Sequence, residues 1–254
     1  MLDFGLTNRV VIVTGGAQGL GRAYCLGFGE QGAKVVVADL QQAGAEQVAD
    51  EVVGAGGVAM AVAVDVADES SVASMVGAVQ TRYGAPTVLV NNAAVFSTLR
   101  MGSFTGISVA EWDRVMAVNV KGAFLCARAV VPLMAEAGYG KIINISSSTV
   151  WIGRPNYLHY VTSKMALIGM TRALASEVGP SGIRVNALTP GATITEVPRE
   201  TVTPVQFEAI AAQTALRRSE EPQDLVGTVL FLASPASDFM TGQTLNVDGG
   251  QAFH

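Results

Sequence analysis

Apolar residues fall into short β-rich blocks separated by longer stretches of helical periodicity. The first block, Val10-Val11-Ile12-Val13, is apolar at every position, as a strand covered on both faces must be. Blocks at 35–39, 58–64, 88–90, 141–145, 183–188 and 244–247 predict six more strands. Between them, helical spacing runs from the glycine cluster after the first strand to about residue 31. It returns over 41–53, 69–83, 111–135, 157–178 and 222–233. Parallel strands need such crossovers. The pattern therefore predicts an α/β chain with one seven-stranded parallel sheet and helices on both faces. Residues 195–218 are polar, broken by proline and poorly periodic, which predicts loops and short helices. They are expected to form a mobile substrate cover over about 192–218. No linker, composition shift or internal repeat is visible, so a single domain over 1–254 is expected.

Composition narrows the function classes. With 254 residues, half of them hydrophobic and 15% charged, the chain can bury one large core. A net charge of −5 argues against nucleic-acid partners and anionic membranes. No unbroken apolar run reaches the roughly 18 residues of a membrane span. The first residues include Asp3 and lack a basic stretch ahead of an apolar one, so no signal peptide is expected. Cys25 and Cys126 fall in predicted helices and read as small buried hydrophobes in a reducing, cytoplasmic compartment. There are two histidines and no Cys/His cluster at ligand spacing, so no metal is expected.

The turn after the first strand reads Thr14-Gly15-Gly16-Ala17-Gln18-Gly19-Leu20-Gly21. A glycine-rich strand-to-helix turn lets backbone approach a diphosphate, and the free amides of the helix start supply donors. Asp39 ends the second strand, where a carboxylate accepts both adenosine-ribose hydroxyls and repels a 2′-phosphate. Its neighbours Gln18 and Leu40 are not basic, which favours NAD over NADP. A helix N-cap is the alternative for Asp39, and likewise for Asp65, placed to meet the adenine amino group. Asn92-Ala93-Ala94 ends the fourth strand with small side chains that leave room for a cofactor.

Candidate chemistry lies at 147–164. Tyr160 and Lys164 are four apart on a predicted helix and share a face. A free phenol is a poor base at neutral pH, and a nearby ammonium favours the phenolate. Tyr157 has no lysine at that spacing. Ser147, thirteen positions before Tyr160, follows an apolar strand and can hydrogen-bond a substrate oxygen. Tyr-x-x-x-Lys alone is common on helix surfaces; its weight comes from the rest of the chain.

Taken in order, Thr14-Gly15-x-x-x-Gly19-x-Gly21, Asn91-Asn92-Ala93, Asn119, Ser147, Tyr160-x-x-x-Lys164 and Pro190-Gly191 resemble the short-chain dehydrogenase/reductase family over nearly the whole chain. The resemblance implies a doubly wound Rossmann fold, a homotetramer and a reacting set of Asn119, Ser147, Tyr160 and Lys164. It implies that Lys164 also binds the nicotinamide ribose, and that Asn119 holds a water linking Lys164 to solvent. The cofactor cradle then comprises Gly15, Gln18, Gly19, Leu20, Gly21, Asp39, Leu40, Asp65, Val66, Asn92, Ala93, Ala94, Tyr160, Lys164, Pro190, Gly191, Thr193 and Thr195. Ala94 stands where the family often has Gly, Thr193 where an aliphatic is common, and Thr162 where Ala is usual. A closer resemblance, carried by Ser147-Ser148-Thr149-Val150-Trp151, His159-Tyr160 and Thr171-Arg172-Ala173-Leu174-Ala175-Ser176, is to NAD-dependent secondary-alcohol dehydrogenases of the (S)-1-phenylethanol dehydrogenase kind.

The expected activity is therefore hydride transfer between NAD(H) and an uncharged, hydrophobic or aromatic secondary alcohol or ketone. Val95, Phe96, Thr149, Trp151, Tyr157 and the region 192–207 are the expected substrate lining, with core packing the alternative for Trp151 and Phe96. Arg100 and Arg154 count against an uncharged pocket if either turns inward. Rival expectations are a 3-oxoacyl-(acyl-carrier-protein) reductase, against which Asp39 argues, a sugar or polyol dehydrogenase, and a catalytically silent NAD-sensing protein.

Overall fold

The computed structural model describes residues 3–198 and 202–253. Seven strands, β1 (Val10–Thr14), β2 (Lys34–Asp39), β3 (Val58–Ala63), β4 (Val88–Asn91), β5 (Gly140–Ile145), β6 (Ile183–Pro190) and β7 (Thr244–Val247), form one sheet. Their order is β3-β2-β1-β4-β5-β6-β7, with every pairing parallel. The connections run outward in both directions from β1 and β4, which makes the fold a doubly wound Rossmann sheet. Its switch point, where ligands bind in such sheets, lies at the carboxyl ends of these two strands.

The helices are α1 (Gly19–Glu30), α2 (Gln42–Gly54), α3 (Glu69–Tyr83), α4 (Val109–Met116), α5 (Gly122–Glu136), α6 (Thr149–Ile152), α7 (Leu158–Val178), α8 (Pro204–Gln213) and α9 (Pro222–Ala233). Alternation along the central strands divides the core in two. Val11, Val13, Val35 and Val37 face the layer that includes Phe28, Val48 and Leu225. Val10, Ile12, Val36 and Ala38 face the layer that includes Met75, Val130 and Val178. Both faces are covered, which is why the runs 10–13 and 35–38 within β1 and β2 are apolar at every position.

Two readings need correction, and the short helix expected in the cover takes a definite form. The helix expected over 111–135 begins at Val109 and contains a π-helical turn, Ala117–Lys121, between α4 and α5. By length and composition alone the run Val109–Glu136 is apolar enough to cross a membrane; here α5 packs on β4, β5 and α3. The segment Thr149–Ile152, left without an element by the sequence pattern, is a helical turn. Within the expected cover, α8 is a ten-residue helix whose cap is reciprocal. Thr203 Oγ1 accepts the Gln206 N–H, and Gln206 Oε1 accepts the Thr203 N–H. Residues 199–201 of the cover lie outside the described residues.

Candidate active site

The carboxyl ends of β1, β2, β4, β5 and β6 border one cleft of about 390 Å³. Its floor begins at the glycine turn. Gly15 adopts φ 65°, which disfavours a side chain. Gly21 is buried beneath the turn: a Cβ there would lie 2.0 Å from the Gly15 carbonyl oxygen. Gly21 is thus absent from the cleft wall, which corrects its expected contact; its role is to let α1 pack against the turn. Asn92 fixes the turn from β4, its Nδ2 donating to the Thr14 and Gly15 carbonyls at 3.0 and 2.9 Å. The Gly19 N–H, at the start of α1, donates to Glu196 Oε1 at 2.9 Å. A carboxylate from the cover segment therefore occupies an anion position at this helix start.

Asp39 closes the far end of the cleft. Its Oδ2 accepts the Ala17 N–H at 3.0 Å and its Oδ1 the Gln41 N–H at 2.9 Å. The carboxylate thus holds the glycine turn and its own loop while facing the cleft beside Leu40 and Gln41, neither charged. Asp65 lines the same end and accepts the Ala67 N–H at 2.9 Å.

At the other end stand the residues expected to react. Ser147, Tyr160 and Lys164 all line the cleft and are all buried. The Tyr160 ring stacks on Tyr157 at 4.6 Å between centroids and lies 5.3 Å from Phe96. Lys164 Nζ is 5.7 Å from the Tyr160 ring centroid, so the two residues share a face as their spacing predicts. Nζ donates to the Ile145 carbonyl at 2.8 Å, and burial pushes the ammonium down to about 8. Ser147 Oγ accepts from Thr149 Oγ1 at 2.9 Å and from the Thr149 N–H at 3.3 Å. With both lone pairs engaged, its own proton is left to donate into the cleft.

Asn119 stands behind this wall, not on it. The π-helical turn aims its amide at the end of β4: Oδ1 accepts the Val95 N–H at 2.7 Å, and Nδ2 donates to Ser163 Oγ at 3.0 Å. Of the expected substrate lining, Val95, Phe96, Thr149 and Tyr157 are in place. Trp151 is not. Turn α6 directs its indole N–H to Thr189 Oγ1 at 3.2 Å and presents Ile152 to the cleft instead. His159 faces Glu111 of α4, with Nε2 at 3.5 Å from the carboxylate. The remaining expected cofactor contacts, Gln18, Leu20, Val66, Ala93, Ala94, Pro190, Gly191, Thr193 and Thr195, all line the cleft. The Thr193 hydroxyl, however, is already donated to Glu220 Oε2 at 2.6 Å.

Sequence reasoning missed Gln251, Ser97 and Val118 on the wall, none of which carries a local signal, while Val202 of the expected 192–207 region is on it. Arg154 also lines the cleft, with Nη2 3.6 Å from Met101 Sδ. A cation on the wall departs from an all-uncharged pocket. Among the described residues, no group of three or more His, Cys, Asp or Glu could hold a metal ion.

A Rossmann sheet with a glycine turn and a serine, tyrosine and lysine in one cleft is the frame of a nucleotide-dependent oxidoreductase. A family profile described as enoyl-(acyl carrier protein) reductase matches residues 15–252. An uncharacterized oxidoreductase of Mycobacterium tuberculosis is 42% identical over 245 residues, covering 96% of this chain and 97% of that one. The (2S)-[(R)-hydroxy(phenyl)methyl]succinyl-CoA dehydrogenase subunit of Thauera aromatica is 38% identical over 248 residues, covering 98% of each chain. The crystal structure of a 3-ketoacyl-(acyl-carrier-protein) reductase from Brucella melitensis complexed with NADH superposes with a TM-score of 0.89 at 34% identity, covering 98% of this chain and 100% of that one. The chain belongs to the short-chain dehydrogenase/reductase family and is an oxidoreductase of that family. None of these three is, by name, a phenylethanol dehydrogenase, so that closer resemblance rests on the segments around 147–176 alone.

Proposed function

We propose that this oxidoreductase transfers a hydride between NAD(H) and a secondary alcohol or ketone whose reacting carbon sits among apolar and aromatic groups. The observation that carries the reading is one continuous cleft, with Asp39 and the glycine turn at one end and Ser147, Tyr160 and Lys164 at the other. The cradle fits a dinucleotide: the Gly19 amide already donates to an anionic oxygen, and Gly15, at a φ that disfavours a side chain, borders the cleft beside it. Gly15, Gly19 and Leu20 would hold the diphosphate, and Asp39 the adenosine ribose. When bound, the nicotinamide supplies the hydride chemistry.

The chain's own residues supply the rest. In alcohol oxidation the Tyr160 oxygen takes the hydroxyl proton, and Ser147 donates its hydrogen bond to the substrate oxygen as charge builds there. The Lys164 cation favours the phenolate and, as in the family, holds the nicotinamide ribose. Asn119 positions Val95 and Ser163 and, by resemblance, holds the water that joins Lys164 to solvent. Carbonyl reduction is the reverse. Phe96, Tyr157, Val95 and Ile152 favour an apolar substituent on the reacting carbon. The Thauera relative, whose named substrate carries a hydroxy(phenyl)methyl group, supports that preference.

A second reading, reduction of a 3-oxoacyl thioester, is favoured by Arg154 on the wall and by the Brucella neighbour. One screen separates them: 1-arylethanols with NAD+ and NADP+ against acetoacetyl-CoA with NADH and NADPH. We expect the highest kcat/KM with NAD+ and an aryl alcohol. Turnover confined to the thioester with NADPH would overturn the proposal, and NADH binding without any turnover would favour a silent sensor. We also propose a cytoplasmic homotetramer. Exposed Val109, Phe124, Leu158 and Met165 on the two long helical runs supply apolar surface for an interface, which sedimentation would test.

A further inference from the structure

The wall of the cleft at 190–194 is held by a carboxyl group that no expectation included. Glu220, just before α9, forms an isolated parallel bridge with Thr193, and its carbonyl accepts the Ile194 N–H at 2.8 Å. Its side chain passes under the turn. Oε2 accepts the Thr193 hydroxyl at 2.6 Å and lies 3.4 Å from the Cβ position of Gly191. A side chain at Gly191 would also stand 3.1 Å from the Asp248 Cα, so the turn is pressed onto both acids. The family's common aliphatic at position 193 could not donate this bond.

Two buried oxygens beside the turn have no hydrogen-bond partner: Glu220 Oε1 and the Tyr24 hydroxyl of α1. The charged neighbours are mostly acidic. Asp224 of α9 and Asp248 after β7 both repel the carboxylate. The cation of Arg218 is bound by both oxygens of Asp224 at 2.6 Å. Asp248 is occupied by the N–H groups of Gly250, Gln251 and Ala252. Tyr24, raised far above the ordinary phenol range by burial and then by Glu220, stays protonated. Burial, ahead of these neighbours, pushes Glu220 up to about 7, while the Thr193 bond pulls the other way.

We propose that Glu220 is a positioning residue for the cofactor: through Thr193 it fixes the turn at 190–194, and its ionisation sets how tightly the dinucleotide is held. Ionised, it accepts a charge-assisted bond from Thr193 and orders the turn. Protonated, it accepts more weakly, and the wall loosens. The role rests on the NAD(H) reading above and acts through Pro190, Gly191 and Thr193 of the cradle.

The test measures NADH affinity by fluorescence titration, with KM for NAD+ and kcat alongside, from pH 5.5 to 8.5. The wild-type protein should bind NADH several-fold more tightly at pH 8 than at pH 6. Glu220→Gln is isosteric and keeps an acceptor for Thr193, but cannot ionise; it should hold the weaker low-pH affinity across the range. Thr193→Val should match it, and Thr193→Ser should restore the wild-type profile. KM should move more than kcat. Comparing variant with wild type cancels titration of Lys164 and of other groups that do not interact with Glu220. Superimposed wild-type and Glu220→Gln profiles, or tighter binding at low pH, overturn the proposal alone. Failure of the wild-type protein to bind NADH at any pH overturns the NAD(H) reading and this proposal with it.

Discussion

Lys164 places a cation where water is scarce, and that has a measurable consequence for stability. The residue is 3% exposed, and its one hydrogen bond among those described for Nζ goes to the Ile145 carbonyl. Desolvation lowers its pKa from 10.5 to about 8. Between these two values the unfolded chain holds the proton and the folded one does not, so stability rises with pH across that interval. The penalty is fully present below about pH 8 and is lost as pH approaches 10.5. At 1.36 kcal/mol per pK unit it amounts to about 3 kcal/mol. Lys164→Met keeps an unbranched stem without the charge, but leaves the Ile145 carbonyl without its donor, at a cost of about 1–2 kcal/mol. At pH 7 the cofactor-free variant should therefore be the more stable by about 1–2 kcal/mol, which urea denaturation resolves. At pH 10.5 the wild-type lysine is largely neutral and retains its bond, so the order should vanish or reverse. Turnover should collapse at both pH values. A variant less stable than wild type at pH 7, or a stability gap independent of pH, would refute the desolvation reasoning.

Tyr160→Phe keeps the stacking on Tyr157 and Phe96 but removes the proton carrier. Hydride transfer should fall by about 10²–10⁴-fold with NADH binding intact, and near-normal turnover in stopped flow would contradict the assignment. Asp39→Ala should raise KM for NAD+ and relax rejection of NADP+; an unchanged ratio of kcat/KM values would remove the ribose role. Glu196→Gln withdraws a negative charge from the Gly19 amide, where a diphosphate oxygen would compete for the same donor. NADH should bind several-fold more tightly, most of all at low ionic strength, and unaltered affinity would show that the carboxylate does not compete.

The strands and long helices were legible because both sheet faces are covered and every crossover helix shows its period. The seven strands came from apolar blocks alone, and α7 begins at Leu158, one residue from its expected start. The short turn α6 was not legible. Four residues hold too little periodicity to register, yet α6 decides that Ile152, not Trp151, meets the cleft. Likewise the π-helical turn at Ala117–Lys121 is invisible in a pattern read at 3.6 residues per turn, although it aims Asn119 at Val95. The cap of α8 was present as Thr203-Pro204-Val205-Gln206 and was hidden by the prolines and polar residues around it.

Within the cleft, what could be read depended on how far apart the partners lie in the chain. Ser146 Oγ holds the Lys164 carbonyl across 18 positions, and Lys164 Nζ reaches Ile145 across 19. These two ties clamp α7 to the end of β5. The geometry of Ser147, Tyr160 and Lys164 is thus set inside one strand–helix unit, which a local motif represents well. The cofactor cradle is assembled otherwise. Asn92 reaches Gly15 across 77 positions and Glu196 reaches Gly19 across 177, and only the completed sheet brings either pair together. No spacing rule encodes such pairs. Ser147, Tyr160 and Lys164 were consequently candidates within one stretch, given weight by motifs elsewhere in the chain, while the bonds of Glu196 and Glu220 to the cradle emerged only from the folded chain.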